Sequence, residues 1–390
     1  MTQNSFDEIQ DRLAAGGVEA VFEQLAAELR EQKKYHELFD ALLMQSRYRL
    51  RLPLVLTTSL DDLADPLRTQ LEEAYLDSCR EVGRLLLAQG RLREAWMYLR
   101  PVGEKEPIAK ALTQLEPTSE NLQDIIEIAL HEGVAPALGY RLVLENYGTC
   151  NAISTFEAAL AGRGRADQQA AAGLLVRHLH RDLLANVRAD VTGREEKPPA
   201  DDAKLATLIA AREWIFEDNN YHIDTSHLSA AVRLARLCDD QDVLRLALDL
   251  TEYGRRLGKQ FQFEGEEPFA DVYPSHGLWF AARLGQNVDE AIAYFRERAA
   301  SVDVEQNGTA AIETYIALLA HLERWPEAID AAATLLPPGV RTHGLAPSLL
   351  ELSRRAESYE RILSLTRERG DLIGYTAALL ESRLNGSSSQ

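Results

Sequence analysis

Two histidines, His222 and His227, stand five residues apart in WIFEDNNYHIDTSH, Trp214 to His227, among carboxylates, two asparagines and three aromatic rings. Imidazole and carboxylate at one junction are the materials of a general base or of a divalent metal centre. Asp224, Thr225 and Ser226 directly precede the apolar pattern Leu228, Val232, Leu234, Ala235, Leu237, so each is a candidate N-cap. His227 then falls in a first helical turn. The dipole there favours a neutral imidazole, the form that a metal or a base requires. On a continuous helix, five residues turn two rings about 140° apart. His222 and His227 therefore converge only if the chain changes direction between them.

A second junction, YPSHGLWFAARL, repeats the theme, with Ser275 as the expected N-cap and His276 in the first turn. Nitrogens from His222, His227 and His276, with a carboxylate, would suit a zinc-like divalent metal that keeps an open position for water. Asp224 and His227 are the catalytic candidates in that reading. Trp214, Asn220, Tyr221, Asp271 and Tyr273 are the ligand-binding candidates beside them. The plainer reading of the same residues has Asp224 and Ser226 capping, His222 packed beneath the loop and His227 half solvated. Gly258 to Ser275 joins the two junctions. Its phenylalanines favour packing over disorder, and folding back would bring Glu264, Glu266, Glu267 or Asp271 near His276.

Other chemistry is sparse. His178 and Asp182 share a helix face, whereas His178 and His180 point to nearly opposite sides. No HExxH, Gly-rich phosphate loop or GxSxG elbow occurs. Cys79, Cys150 and Cys238 form no CxxC pair, and each reads as a small buried apolar residue in a reducing compartment.

The elements that must position these residues are helices. Apolar positions recur with helical spacing almost throughout, from a first pair broken at Gly16-Gly17 onward, and no alternating strand stands out. Leu54 to Pro66 reads as a loop with a capped re-entry. The fold class expected is all-α.

REVGRLLLAQGRLREAWMYLRPVGE, after Leu71, carries Gly83 and Ala95 at the positions where two helices approach closely, with Gly90 at the turn. This hairpin resembles a tetratricopeptide repeat. LWFAARLGQNVDEAIAYFRERA, with Ala291 and Phe295, and YIALLAHLERWPEAIDAAATLLPP, with Ala328, resemble it more loosely. The resemblance covers about a quarter of the chain and implies a TPR-like, irregular α-solenoid of stacked hairpins, a fold that commonly binds peptides or proteins on a concave face.

Residues 1–190 and 204–384 are the expected helical-repeat halves, with 191–203 a polar loop or linker between them and 385–390 a disordered tail. The formal charge of −19 argues against nucleic acid and against an anionic membrane surface as partner. No apolar run spans a bilayer and the start lacks a secretory signal pattern, so a cytoplasmic protein is expected. Two functions follow as expectations. One is a scaffold for a protein or peptide partner. The other is a metal-dependent hydrolase or lyase, or a small-ligand-binding protein, with the His and Asp residues above as its site.

Overall fold

The computed structural model describes residues 3–55 and 63–387. The core of the segment expected as a loop with a capped re-entry, 56–62, lies outside them. Among the described residues every regular element is helical, and the only β feature is an isolated bridge between Glu264 and Asp271. The all-α expectation holds. The chain divides into two compact units, Met1–Asn146 and Tyr147–Gln390.

The first unit opens with α1, Gln3–Glu31, which bends where Gly17 takes a positive φ of 73°. Then come α2 (Tyr35–Arg49), α3 (Leu67–Ala88), α4 (Leu92–Val102), α5 (Lys105–Gln114) and α6 (Leu122–Ile126). Helix α7, Pro136–Thr155, breaks at Gly148 beside the division between the units. The small residues at the α3–α4 crossing do what their size predicts. A Cβ on Gly83 would lie 2.6 Å from Leu99 and 3.3 Å from the Ala95 carbonyl, and Gly90 turns the chain with φ 72°.

In the second unit, α8 (Arg165–Glu195) is followed by α9 (Leu205–Ala210), α10 (Thr225–Ala235) and α11 (Gln241–Arg256). After them come α12 (Val272–Arg283), α13 (Val288–Ser301), the short α14 (Val304–Asn307), α15 (Ala310–His321) and α16 (Trp325–Leu335). Three more close the chain: α17 (Leu349–Arg355), α18 (Glu360–Glu368) and α19 (Leu372–Ser387). Helices packed together are mostly near neighbours in sequence: α10 on α11, α11 on α12, α12 on α13, α15 on α16 and α18 on α19. Ala291, Phe295 and Ala328, singled out by the repeat resemblance, are fully buried.

Three sequence expectations change. Helix α8 runs on to Glu195 and packs against α10 and α11. The segment 191–203 is thus partly helix and partly a loop inside the second unit, while the two units divide at 146/147. Arg188 ties that loop to the chain through the carbonyls of Asp201 (3.1 Å) and Pro199 (3.4 Å). Helix α19 continues past Asn385 to Ser387, and residues 388–390 lie outside the described residues. Cys79 and Cys238 are buried, but Cys150 is exposed, because it sits in the short helical stretch after the Gly148 break with its side toward solvent.

At the α11–α12 crossing Gly254 faces the ring of Tyr273, which is 1% exposed. A Cβ there would lie 2.4 Å from two ring carbons. Gly254→Ala is expected to destabilise the protein by roughly 1–3 kcal/mol through overpacking, read as a lower midpoint in urea unfolding. Gly254→Ala combined with Tyr273→Leu should recover part of the loss, since the clash is with the ring.

Candidate functional site

His222 is held on every side. Its backbone N–H donates to Tyr253 Oη (2.8 Å), and Nδ1 lies 3.0 Å from the same oxygen. Nε2 lies 3.0 Å from Asp190 Oδ2, and the His222 carbonyl accepts from Asn186 Nδ2 at 2.7 Å. One pattern satisfies all of these: Nε2–H donates to Asp190, and Tyr253 accepts the backbone N–H while donating its hydroxyl proton to Nδ1. The side chain is 6% exposed. His222 therefore clips the junction to α8 and α11, and both of its nitrogens are spent doing so.

Asp224 is the N-cap of α10. Its Oδ1 accepts from the backbone N–H of Ser226 (2.9 Å) and His227 (3.3 Å) and from the Ser226 hydroxyl (2.5 Å). That hydroxyl, helped by the two backbone N–H groups, holds the carboxyl below the usual Asp range. His227 is half-buried in the first turn, and its ring makes no hydrogen bond among the described residues.

The other candidates line the same neighbourhood in packing roles. Trp214 lies under the Arg194 guanidinium (4.6 Å to the ring centre), and Tyr221 packs on Phe261 (5.0 Å between centres). Asn220 Nδ2 donates to the Ile215 carbonyl at 3.3 Å.

His276 has a different setting. Asp271, not Ser275, holds the N-cap position of α12, though its side chain makes no capping bond. Ser275 lies one turn further in, its hydroxyl donating to the Asp271 carbonyl at 2.5 Å. That extra turn carries His276 into the interior, where it is 1% exposed. Its Nδ1 is 2.6 Å from the Val272 carbonyl, so Nδ1 carries the proton and Nε2 is a bare acceptor. No protein group among the described residues bonds that Nε2.

The structure does not bring His222, His227 and His276 together. No group of three or more His, Cys, Asp or Glu side chains among the described residues is placed to hold a metal ion. The reason is local: the turn that would have made His222 converge with His227 is the one that buries it between Asp190 and Tyr253.

His276 lines a polar cavity of about 930 Å³ within the second unit. Arg233 and Arg236 enter from α10, Gln306 and Asn307 from α14, and Thr314 from α15, while the 264–269 loop forms the opposite rim. The folding back expected for Gly258 to Ser275 does place Glu264, Glu266 and Glu267 on the same cavity as His276. Of these, Glu267 is paired with Arg298 at 2.8 Å. Phe269 carries the Arg236 guanidinium 4.5 Å from its ring centre, and the His276 ring lies 4.3 Å from it. Neither Arg233 nor Arg236 has a carboxylate within ion-pair distance among the described residues, although the Glu266 charge acts on Arg236 from the rim. Burial, and then the Arg236 charge, push the His276 imidazole down to about 3. The ring stays neutral at any ordinary pH.

One more carboxylate shapes this wall. Glu313, 2% exposed on α15, accepts from Thr309 Oγ1 (2.6 Å) and from the backbone N–H groups of His343 (2.8 Å) and Leu345 (2.8 Å). It thereby straps the irregular segment 336–348 to the helices. Leu345 is common to this cavity and to a second one of about 610 Å³, where Arg283 pairs with Asp239 at 2.6 Å.

Sequence reasoning found His276 and the rim glutamates but missed Arg233, Arg236 and Glu313. Signals for them existed. Arg233 and Arg236 recur at i, i+3 on a helix otherwise made of small and apolar residues, and Glu313 interrupts the apolar run AAIETYIALLAH. A scan against protein-family models and a search of curated proteins find no match to the chain. No helix among the described residues is long and apolar enough to cross a membrane.

Two outcomes follow. His222→Phe keeps the ring volume but removes the donor to Asp190 Oδ2 and the acceptor of the Tyr253 hydroxyl proton, and should cost roughly 1–3 kcal/mol in chemical unfolding. Acid should also act through His276. Its native value of about 3 lies below the ordinary 6.5, so between these limits the unfolded chain binds a proton that the native chain does not. Stability from this group is complete above 6.5 and falls as the pH drops toward 3, by at most about 1.4 kcal/mol per pH unit. In His276→Gln the pH 5–7 arm of the stability curve should flatten; an unchanged slope would remove His276 as its source.

Proposed function

We propose that the protein is a binding scaffold, its hairpins stacked as an irregular, TPR-like α-solenoid, which seats a protein or peptide partner at the cavity of the second unit. The observation that carries this reading is the pair Arg233 and Arg236, charged, with no carboxylate at ion-pair distance among the described residues, on the same cavity as buried His276, whose Nε2 is unbonded. Arg233 is exposed, but the half-buried Arg236 guanidinium is costly unless an anion meets it, and a buried acceptor is costly unless a donor does. Such groups are what an interface keeps for its partner. The sequential packing of neighbouring helices supports the stacked-hairpin architecture.

Chemistry at the cavity is less well supported than binding. The Thr314 hydroxyl donates to the Ala310 carbonyl of its own helix (2.7 Å), so no base activates it. His276, with a value near 3, is too weak a base for proton transfer at neutral pH.

A photo-crosslinking residue at Asn307, exposed on the rim, tests the proposal in the source cells. The full-length protein should yield a discrete protein or peptide adduct. Arg236→Ala should reduce its yield about 30-fold, the range of a hot-spot arginine. A variant with normal melting behaviour that still gives the full adduct, or no adduct from the parent protein, would overturn the scaffold reading.

A further inference from the structure

We propose that this cavity recognises a ligand of amino-acid type, one free carboxylate with an N–H donor close by, as a peptide C-terminus, a short peptide or a free amino acid carries. The inference rests on the binding reading above and names the chemistry that the site selects.

The cationic side comes from one helix. Arg233 in the last turn of α10 and Arg236 at its C-cap are three residues apart, and Arg236 Nε donates to the Arg233 carbonyl at 3.3 Å. Arg236 packs on Phe269, its guanidinium carbon 4.5 Å from the ring centre, and only its Nε is used in a hydrogen bond among the described residues. Carboxylate is the planar anion that arginine forks bind in pairs.

The donor requirement comes from α12. Nδ1 of His276 is committed to the Val272 carbonyl, so Nε2 accepts and cannot donate. A bare anion offers it nothing. A ligand that answers Arg233 and Arg236 with oxygen and His276 with N–H satisfies both sides at once.

Rim charge disfavours a bulk anion. Glu264 and Glu266 are exposed on the lip, and the whole chain carries −19. A doubly charged phosphate meets repulsion there, whereas the ammonium or amide of a peptide meets acceptors. Gln306 and Asn307 add amides that donate and accept, the pattern that a peptide backbone presents. A cavity of about 930 Å³ falls at the upper end of small-ligand sites and holds more than one residue.

Calorimetry on the full-length protein at neutral pH decides the matter with defined probes. These are the tripeptide Ala-Ala-Ala with free ends, its N-acetyl form, its C-terminal amide, L-alanine and inorganic phosphate. The free tripeptide and its N-acetyl form should bind, and the amide should bind at least about 30-fold more weakly. Comparable affinity for L-alanine would identify a free amino acid as the source of the chemistry; tighter binding of the tripeptide would identify a peptide end. Arg233→Gln and Arg236→Gln should each reproduce the loss seen with the amide, with their melting temperatures reported alongside. On binding, the ¹⁵N signal of His276 Nε2 should shift, a change that a purely structural histidine would not show.

Equal binding of acid and amide, equal binding of phosphate, or no binding of any tripeptide would overturn the proposal. Its failure is separable from failure of the scaffold. If tripeptides do not bind but Arg236→Ala still abolishes the crosslink, the ligand class is wrong and the scaffold stands. If tripeptides bind and no crosslink forms, the cavity is a small-molecule site and the scaffold reading falls.

Discussion

The second unit depends on one long helix whose polar side chains reach outward to the elements around it. From α8, Arg177 meets Asp240 (2.7 Å) and His180 meets Asp249 (3.1 Å). Further along, Asn186 and Asp190 take hold of His222, and Arg188 takes hold of the loop after the helix. Between these, Leu175, Val176, Leu179, Leu183, Val187 and Val191 are fully or almost fully buried. A helix of 31 residues is too long to be fixed by one contact. Distributing polar ties along an apolar stripe fixes its rotation as well as its position, because a rotated α8 would break the buried contacts of His180 and His222 and expose leucine together.

That constraint explains why two similar histidine junctions end so differently. At His222 the chain is pulled against α8 and α11, and the ring becomes a fastening with both nitrogens used. At His276 the helix begins one turn earlier than its Ser-His spelling suggests. The same residue type is then carried inward, one nitrogen bonded and the other not. Only the second leaves chemical capacity unspent, and it lines a cavity with two arginines that have no carboxylate at ion-pair distance among the described residues.

Much of the fold was legible because it rests on local signals. Gly83, Gly90 and Ala95 spell a close helix crossing by their size, and Gly16-Gly17 spells a break in α1. Asp224 was readable as one of three caps, although choosing it over Thr225 and Ser226 depended on backbone geometry that no spacing encodes. The site was half legible. His276 and the glutamates of the 264–267 loop could be placed together because the loop has to return to α12. The arginines opposite them come from α10, and which face of α10 looks at that loop is decided by tertiary packing. The expected metal centre illustrates the same limit: histidine content was visible, but the direction of each ring was not.

The strap at 343–345 has a consequence for how this protein can vary. Glu313 grips it by main-chain N–H groups and touches no side chain of the strap in doing so. Any residue other than proline supplies the same N–H. Evolution is therefore free to rewrite positions 343 and 345, and with them part of the wall of both cavities, while Glu313 and Thr309 must stay. Related chains should keep the buried glutamate and threonine on α15 and its approach, and should diverge in the strap. Altered ligand preference would then come from a segment whose attachment does not depend on its own spelling.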